Sequence, residues 1–155
     1  MYISDLDQAE ILEDWSFFQI TLGLLYTILQ KNLEFDQTIT DDFMANIMKM
    51  LKYASMNRDR EDLLTCVAML SMTELGTISI TKHQEIFPLV LKCVDKDYHS
   101  KFQTISSIII ITHCLSHAKP DPTLWPCLVK DGLFPKFNEV LKSKDGFVLT
   151  EALNC

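Results

Sequence analysis

Two histidines and a cysteine near the middle of the chain have the spacing of metal ligands. His113 and His117 are four residues apart, which puts both on one face of a helix, and Cys114 follows His113 directly. However, no glutamate follows His113 in a His-Glu-x-x-His arrangement, and no other ligand pair is close in sequence. One packed histidine and one histidine at a helix C-terminus explain the same residues, because the helix dipole favours positive charge there. We therefore predict no metal site and no cofactor.

The five cysteines are candidates for nucleophilic catalysis or for disulfides. They are odd in number and form no Cys-x-x-Cys pair, and most of them lie on the apolar faces of predicted helices. The five are Cys66, Cys93, Cys114, Cys127 and Cys155. A thiol buried in apolar surroundings has a raised pKa and is a poor nucleophile. Free thiols persist in reducing compartments, so we predict an intracellular protein, either cytoplasmic or nuclear.

Adjacent acidic residues, such as Asp41-Asp42 and Glu61-Asp62, are candidates for general acid–base chemistry. Neighbours in sequence point apart on a helix, however, and most of these pairs lie where helix caps are expected. The four glycines are scattered and form no phosphate-binding loop. The sequence therefore predicts that the protein is not an enzyme, with a helical enzyme whose site is unrecognised as the alternative.

The charge balance excludes further classes of partner. The formal charge of −7, from 21 acidic and 14 basic residues, repels phosphate backbones and anionic membrane surfaces, so nucleic acid is disfavoured. The acidic first residues do not have the pattern of a signal peptide. No apolar run approaches the ~20 residues that span a bilayer, and we predict no membrane association.

The elements that must position any site begin with a central helix, Lys101–His117, which contains neither glycine nor proline. Its apolar residues extend around most of the cylinder, so burial on nearly all sides is expected. Phe102, Ile105, Ile108, Ile109, Thr112 and Leu115 recur at helical spacing, and Ile110 and Ile111 extend the apolar surface around the helix. With only 4 glycines and 5 prolines, the composition also favours an all-α fold over a turn-rich β fold.

Periodicity and cap signals predict further helices on both sides of the central one. They are expected near Trp15–Gln30, from Phe43 to Ala54, at Leu63–Leu75, from about Pro88 to Val94, at Trp125–Lys130, from Leu133 to Lys144, and over the last residues from Phe147. Gly76 is expected to end the Leu63–Leu75 helix, and Thr77–Thr81 to be a connector. A last helix cut short predicts a fragment of a longer protein.

A repeat of about 47 residues underlies these helices. Phe87-Pro88 and Phe134-Pro135 each open an amphipathic helix, and 134 − 87 = 47. Each of these helices is followed by a turn that contains aspartate and by a second apolar helix. The predicted single domain covers residues 1–155, with repeat-like units at about 5–32, 40–76, 82–118 and 123–155.

Residues 131–153 resemble the armadillo repeat in the order and spacing of Gly132, Leu133, Pro135, Phe137, Val140, Leu141, Ser143, Asp145, Val148, Ala152 and Leu153. The resemblance implies a right-handed α-solenoid of about three to four repeats, whose third helices line a concave groove. Armadillo proteins bind extended peptides there through a ladder of Asn and Trp. This chain instead has Leu22, Ala68, Ser106 and Asn154 at the Trp-like positions, and Tyr26, Met72 and Ile110 at the Asn-like positions.

These features predict a non-enzymatic interaction domain of an intracellular scaffold, which binds a partner protein segment or docks onto another subunit. A groove of Met, Ile and Tyr suits an amphipathic helix, and the overall acidity favours a basic one. The predicted protein-binding residues are Tyr26, Met72, Ser106, Ile110 and Trp125. Trp125 either anchors a partner or fills the junction between repeats. Self-association is the alternative, and no small-molecule substrate is expected.

Overall fold

The computed structural model describes residues 41–53, 57–94, 100–117 and 123–154, all of which belong to one compact unit, Thr38–Cys155. Across these ranges there are eight α-helices and no strand, which confirms the all-α prediction. The predicted unit 5–32, with its helix Trp15–Gln30 and the candidate residue Tyr26, lies outside the described residues.

The eight described helices follow one another with short connections. In chain order they are α1 (Asp41–Tyr53), α2 (Asn57–Ser71), α3 (Glu74–Lys82), α4 (Phe87–Cys93), α5 (Lys101–His117), α6 (Leu124–Lys130), α7 (Leu133–Val140) and α8 (Gly146–Asn154). A 3₁₀ turn at Gln84–Ile86 leads into α4, and Pro88 lies in the first turn of α4, where its missing N–H is not needed.

Helix α5 has the predicted bounds and lies at the centre of the described unit. It packs against α2, α3, α4 and α8. The side chains of Thr104, Ser107, Ile108 and Ile111 are completely buried. The Thr104 hydroxyl donates a hydrogen bond of 2.9 Å to the carbonyl of Cys93, so a buried polar group of α5 finds its partner on α4.

The predicted burial of α5 on nearly all sides is wrong for one side of the helix. Ile108, Ile110 and Ile111 are buried, whereas Phe102 is 54% exposed and Ile105, Ile109, Thr112 and Leu115 are half-buried. Because the helix is apolar nearly all round, its sequence does not specify which side meets the core. The neighbouring helices cover the side that carries Thr104, Ser107, Ile108 and Ile111.

The predicted helix stop at Gly76 and the connector at Thr77–Thr81 are also wrong. Helix α2 ends at Ser71, and Thr73 caps a new helix by accepting a hydrogen bond of 3.0 Å from the backbone N–H of Gly76. A Cβ atom at Gly76 would lie 1.9 Å from the carbonyl oxygen of Leu70. Glycine is therefore required by the close approach of α3 to the end of α2, and Thr77–Thr81 is helical within α3.

Turns separate α7 from the helices on both sides, and the turn after α7 contains aspartate, as predicted. Gly132 has φ of +95° between α6 and α7, a left-handed conformation that favours glycine. Asp145 precedes α8 and accepts hydrogen bonds from the N–H groups of Phe147 and Val148, at 3.0 and 3.3 Å. The carboxylate therefore caps α8 at its N-terminus.

The starting positions of the helices recur at a nearly constant spacing along the described chain. Helices α3, α4 and α5 begin at residues 74, 87 and 101, and α6, α7 and α8 begin at 124, 133 and 146, which gives offsets of 50, 46 and 45 residues. The last helices of these two groups, α5 and α8, pack against each other, and α2 packs against α5. The group of helices that recurs thus contains three helices, one more than the paired helices predicted from the sequence.

Candidate protein-binding surface

The described residues predicted to bind a partner divide into an exposed and a buried pair. Met72 is 64% exposed and Trp125 is 49% exposed. Ser106 and Ile110 are buried, and the hydroxyl oxygen of Ser106 lies 3.4 Å from that of Thr65 on α2. Neither of these two side chains is accessible to a partner, because neighbouring helices cover the positions on which the armadillo alignment places the groove.

The open side of α5 carries residues that the sequence predicts in the core. Phe102, Ile105, Ile109 and Thr112 recur at three- and four-residue spacing, and all four are exposed or half-buried. We call these four residues the α5 face. It presents an aromatic ring and two branched aliphatic side chains to solvent. Monomeric proteins rarely expose large contiguous apolar patches.

A lysine joins the α5 face to helix α8. The Nζ atom of Lys101 lies 5.7 Å from the ring centroid of Phe102 and 5.5 Å from that of Phe147, within the range of cation–π contacts. The same Nζ atom is 3.7 Å from a carboxylate oxygen of Asp145. Phe147 is the most exposed large apolar residue described, at 73%. The apolar surface therefore continues from α5 onto α8.

The opposite end of the α5 face approaches the end of helix α2. The Nδ1 atom of His113 lies 3.0 Å from the carbonyl oxygen of Ser71, the residue before Met72. This contact brings the exposed Met72 beside the C-terminal half of α5. Among the described residues, no group of three or more His, Cys, Asp or Glu side chains is arranged to hold a metal ion.

A second exposed apolar surface lies on helices α6 and α7. The rings of Trp125 and Phe134 meet edge to face, with centroids 5.8 Å apart and planes at 81°. Val129 and Leu141 are also exposed on or beside these two helices. We call these four residues the Trp125 patch. Trp125 is not enclosed between repeats, so its role as a buried junction residue is not supported by its exposure.

Burial makes the described thiols of the core poor nucleophiles. It raises the pKa of Cys66 and of Cys114 to about 12, and it also raises the pKa of Cys93. These three cysteines are buried free thiols, as predicted. Cys155 lies outside the described residues. The thiolate fraction of the three buried side chains is therefore very small near neutral pH.

The acidity of the chain is concentrated before the described unit. Residues 1–40 contain 7 of the 21 acidic residues and 1 of the 14 basic residues, so residues 41–155 contain 14 acidic and 13 basic residues, a net charge of −1. Long-range attraction of a basic partner to residues 41–155 is accordingly weak. None of the eight described helices combines the length and apolar character needed to span a bilayer.

Phe102 and Phe147, which are exposed, and Ile109, which is half-buried, lie outside the predicted binding set. The sequence signal for the two on α5 is the all-round apolar character of that helix, which does not distinguish an open face from a buried one. No protein-family model, no curated protein and no solved structure matches this chain.

Proposed function

We propose that residues 41–154 form an armadillo-like helical-repeat module that binds a partner protein through the α5 face, extended by Met72 and Phe147. The observation that carries the proposal is the exposure of Phe102 and Phe147, two aromatic side chains held around a single lysine on adjacent helices. The module performs no chemistry of its own. It belongs to an intracellular assembly in which the partner segment or a neighbouring subunit covers this surface.

The recurrence of the helices supports the armadillo-like part of the proposal. An armadillo repeat has three helices, and the offsets of 50, 46 and 45 residues between α3–α5 and α6–α8 are close to the length of one such unit. Packing of α2 on α5 and of α5 on α8 buries a continuous core between units, as expected for a solenoid. In this arrangement α2, α5 and α8 are the third helices, and the α5 face is the side of α5 that the other described helices leave open.

The exposed apolar area is large enough to contribute substantially to binding. Burying a phenylalanine completely stabilises by about 1.5–3 kcal/mol. With 54% of Phe102 and 73% of Phe147 still exposed, covering both contributes roughly 2–4 kcal/mol before the costs of association are subtracted. Aromatic residues at the centre of an interface are frequent hot spots. These two positions are therefore the proposed anchors.

An amphipathic helix is the proposed ligand. The distance along α5 from Phe102 to His113 is eleven residues, which at 1.5 Å per residue is about 16 Å, or three turns of a partner helix. Met72 provides an adaptable apolar contact at one end. The α5 face carries no asparagine to hold an extended backbone, and the balanced charge of residues 41–155 leaves apolar contact as the principal attraction.

Capture of partners by the full chain tests the proposal. The immobilised 155-residue protein is compared with the double variant Phe102→Glu/Phe147→Glu and with the matched control Phe134→Glu, whose ring is also exposed on the surface. Proteins that bind the wild type and the control but not the double variant identify partners of the α5 face. Retention of every captured protein by the double variant contradicts the proposal.

Self-association through the Trp125 patch is the second candidate function. The edge-to-face pair of Trp125 and Phe134, with Val129 and Leu141 also exposed on or next to the same two helices, gives the chain a second apolar surface for another copy to cover. Light scattering at increasing protein concentration separates the two candidates. A dimer that Phe134→Glu dissociates supports this second function, whereas a monomer at all concentrations removes it.

A further inference from the structure

A cavity lies between helix α1 and the segment from His83 to Leu89, lined by none of the residues of the two surfaces described above. Its volume is about 480 Å³. Met48 and Leu51 line it from α1, and Ile86 and Leu89 line it from the opposite side. Met48, Leu51 and Ile86 are buried, so the floor of the cavity is apolar. The volume falls within the range of about 300–1,000 Å³ that is typical of small-molecule sites.

The polar groups of the cavity lie at its rim and include a lysine. The rim residues are Lys49, His83 and Glu85. The Nδ1 atom of His83 is 3.3 Å from a carboxylate oxygen of Glu85, whose side chain is 70% exposed. No ion pair or hydrogen bond of the exposed Lys49 side chain is present among the described residues. Its ammonium group is therefore available to an anionic ligand at the rim.

We propose that this cavity binds a small amphiphile with an apolar body and an anionic head, of the class of medium-chain carboxylates. The apolar body lies against Met48, Leu51 and Ile86, where its burial from water supplies most of the binding energy. The carboxylate lies at the rim and accepts a hydrogen bond from the Lys49 ammonium group, a charge-assisted contact.

Decanoate is the probe, and decanol is its uncharged counterpart of similar length. Binding is measured on the full chain by NMR, from the methyl resonances of Met48, Leu51 and Ile86. We expect saturable shifts of these methyl groups with decanoate and weaker binding of decanol. Replacing Lys49 by glutamine should weaken decanoate binding about threefold to tenfold without changing decanol binding. The matched control Lys92→Gln, an exposed lysine of α4 that does not line the cavity, should change neither.

A variant that fills the cavity provides a second test. Ala45 lines the cavity from the exposed side of α1, so Ala45→Phe inserts a ring there with little effect on the core, and it should abolish decanoate binding. Equal affinity for decanol and decanoate, equal affinity of Lys49→Gln and wild type, or shifts confined to residues outside the cavity would each overturn the proposal. The double variant Phe102→Glu/Phe147→Glu should bind decanoate normally, which keeps this site distinct from the proposed protein-binding surface.

Discussion

Truncating Ile111 and truncating Ile109 should have very different effects, because the two side chains point to nearly opposite sides of α5. Two residues along a helix correspond to a rotation of about 200°. Ile111 is completely buried, whereas Ile109 is half-buried on the open α5 face. The Ile111→Ala change leaves a cavity in the core and should lower the free energy of unfolding by about 3–5 kcal/mol. The Ile109→Ala change removes a partly solvated side chain and should cost about 1–2 kcal/mol.

Each variant is the matched control for the other, since both remove the same atoms from the same helix. Urea denaturation followed by far-UV circular dichroism gives the two free energies, and equal m-values show that the unfolded states are comparable. In thermal unfolding, a loss of about 3 kcal/mol corresponds to roughly 10 °C or more for a unit of this size. A cost for Ile109→Ala equal to or greater than that for Ile111→Ala would refute the assignment of the open and buried faces of α5.

Two further predictions concern the core. Gly76→Ala should destabilise by about 2–3 kcal/mol or more in urea denaturation, because a Cβ atom there meets the Leu70 carbonyl oxygen at 1.9 Å. Gly146→Ala should be nearly neutral, because its Cβ atom meets nothing within 4 Å. Similar costs for both variants would contradict the close approach of α2 and α3. Stability should fall as the pH rises from about 9 towards 12, because the Cys66 thiol has a pKa near 9.0 in the unfolded chain but about 12 when buried, so alkali favours the unfolded state. The decline should be smaller in Cys66→Ala, and an identical pH profile for this variant would contradict the burial of the thiol.

The position of α5 could be predicted from the sequence, but its orientation could not. Its bounds follow from seventeen residues without a helix breaker between two polar segments. Its buried side depends on contacts between distant parts of the chain, such as that of Thr65 with Ser106, which are 41 positions apart. Side chains that are apolar in every direction are compatible with any rotation of the helix, so only the neighbouring helices determine which ones face solvent.

The signals in the sequence of helix α3 conflict with one another. The alternation of Thr77–Thr81 is typical of a strand, and Gly76 is typical of a helix end. The cap at Thr73 outweighs both signals, since its hydroxyl accepts a hydrogen bond from the N–H of Gly76 and starts a new helix. Thr73 at the cap position and the acidic Glu74 in the first turn are the local indications of this helix start.

The sequence does not determine which residues of the predicted binding set are exposed. Assigning Ser106 and Ile110 to the groove requires an exact alignment with the armadillo pattern, and a shift of one residue rotates a helical position by about 100°. The open positions are Ile105 and Ile109, each one residue earlier. The contact of Lys101 with Phe147 joins residues 147 − 101 = 46 positions apart and could not be predicted from local pattern.

Site-specific photo-crosslinking tests the central proposal most directly. The full chain is prepared with a photoreactive benzoylphenylalanine in place of Phe102 or, separately, in place of Phe134, and each is irradiated with the captured partner. Both positions are exposed aromatic residues, so they differ chiefly in the surface to which they belong. Binding through the α5 face predicts a covalent adduct from position 102 and none from position 134. An adduct from position 134 alone would contradict the proposal and assign the partner to the Trp125 patch.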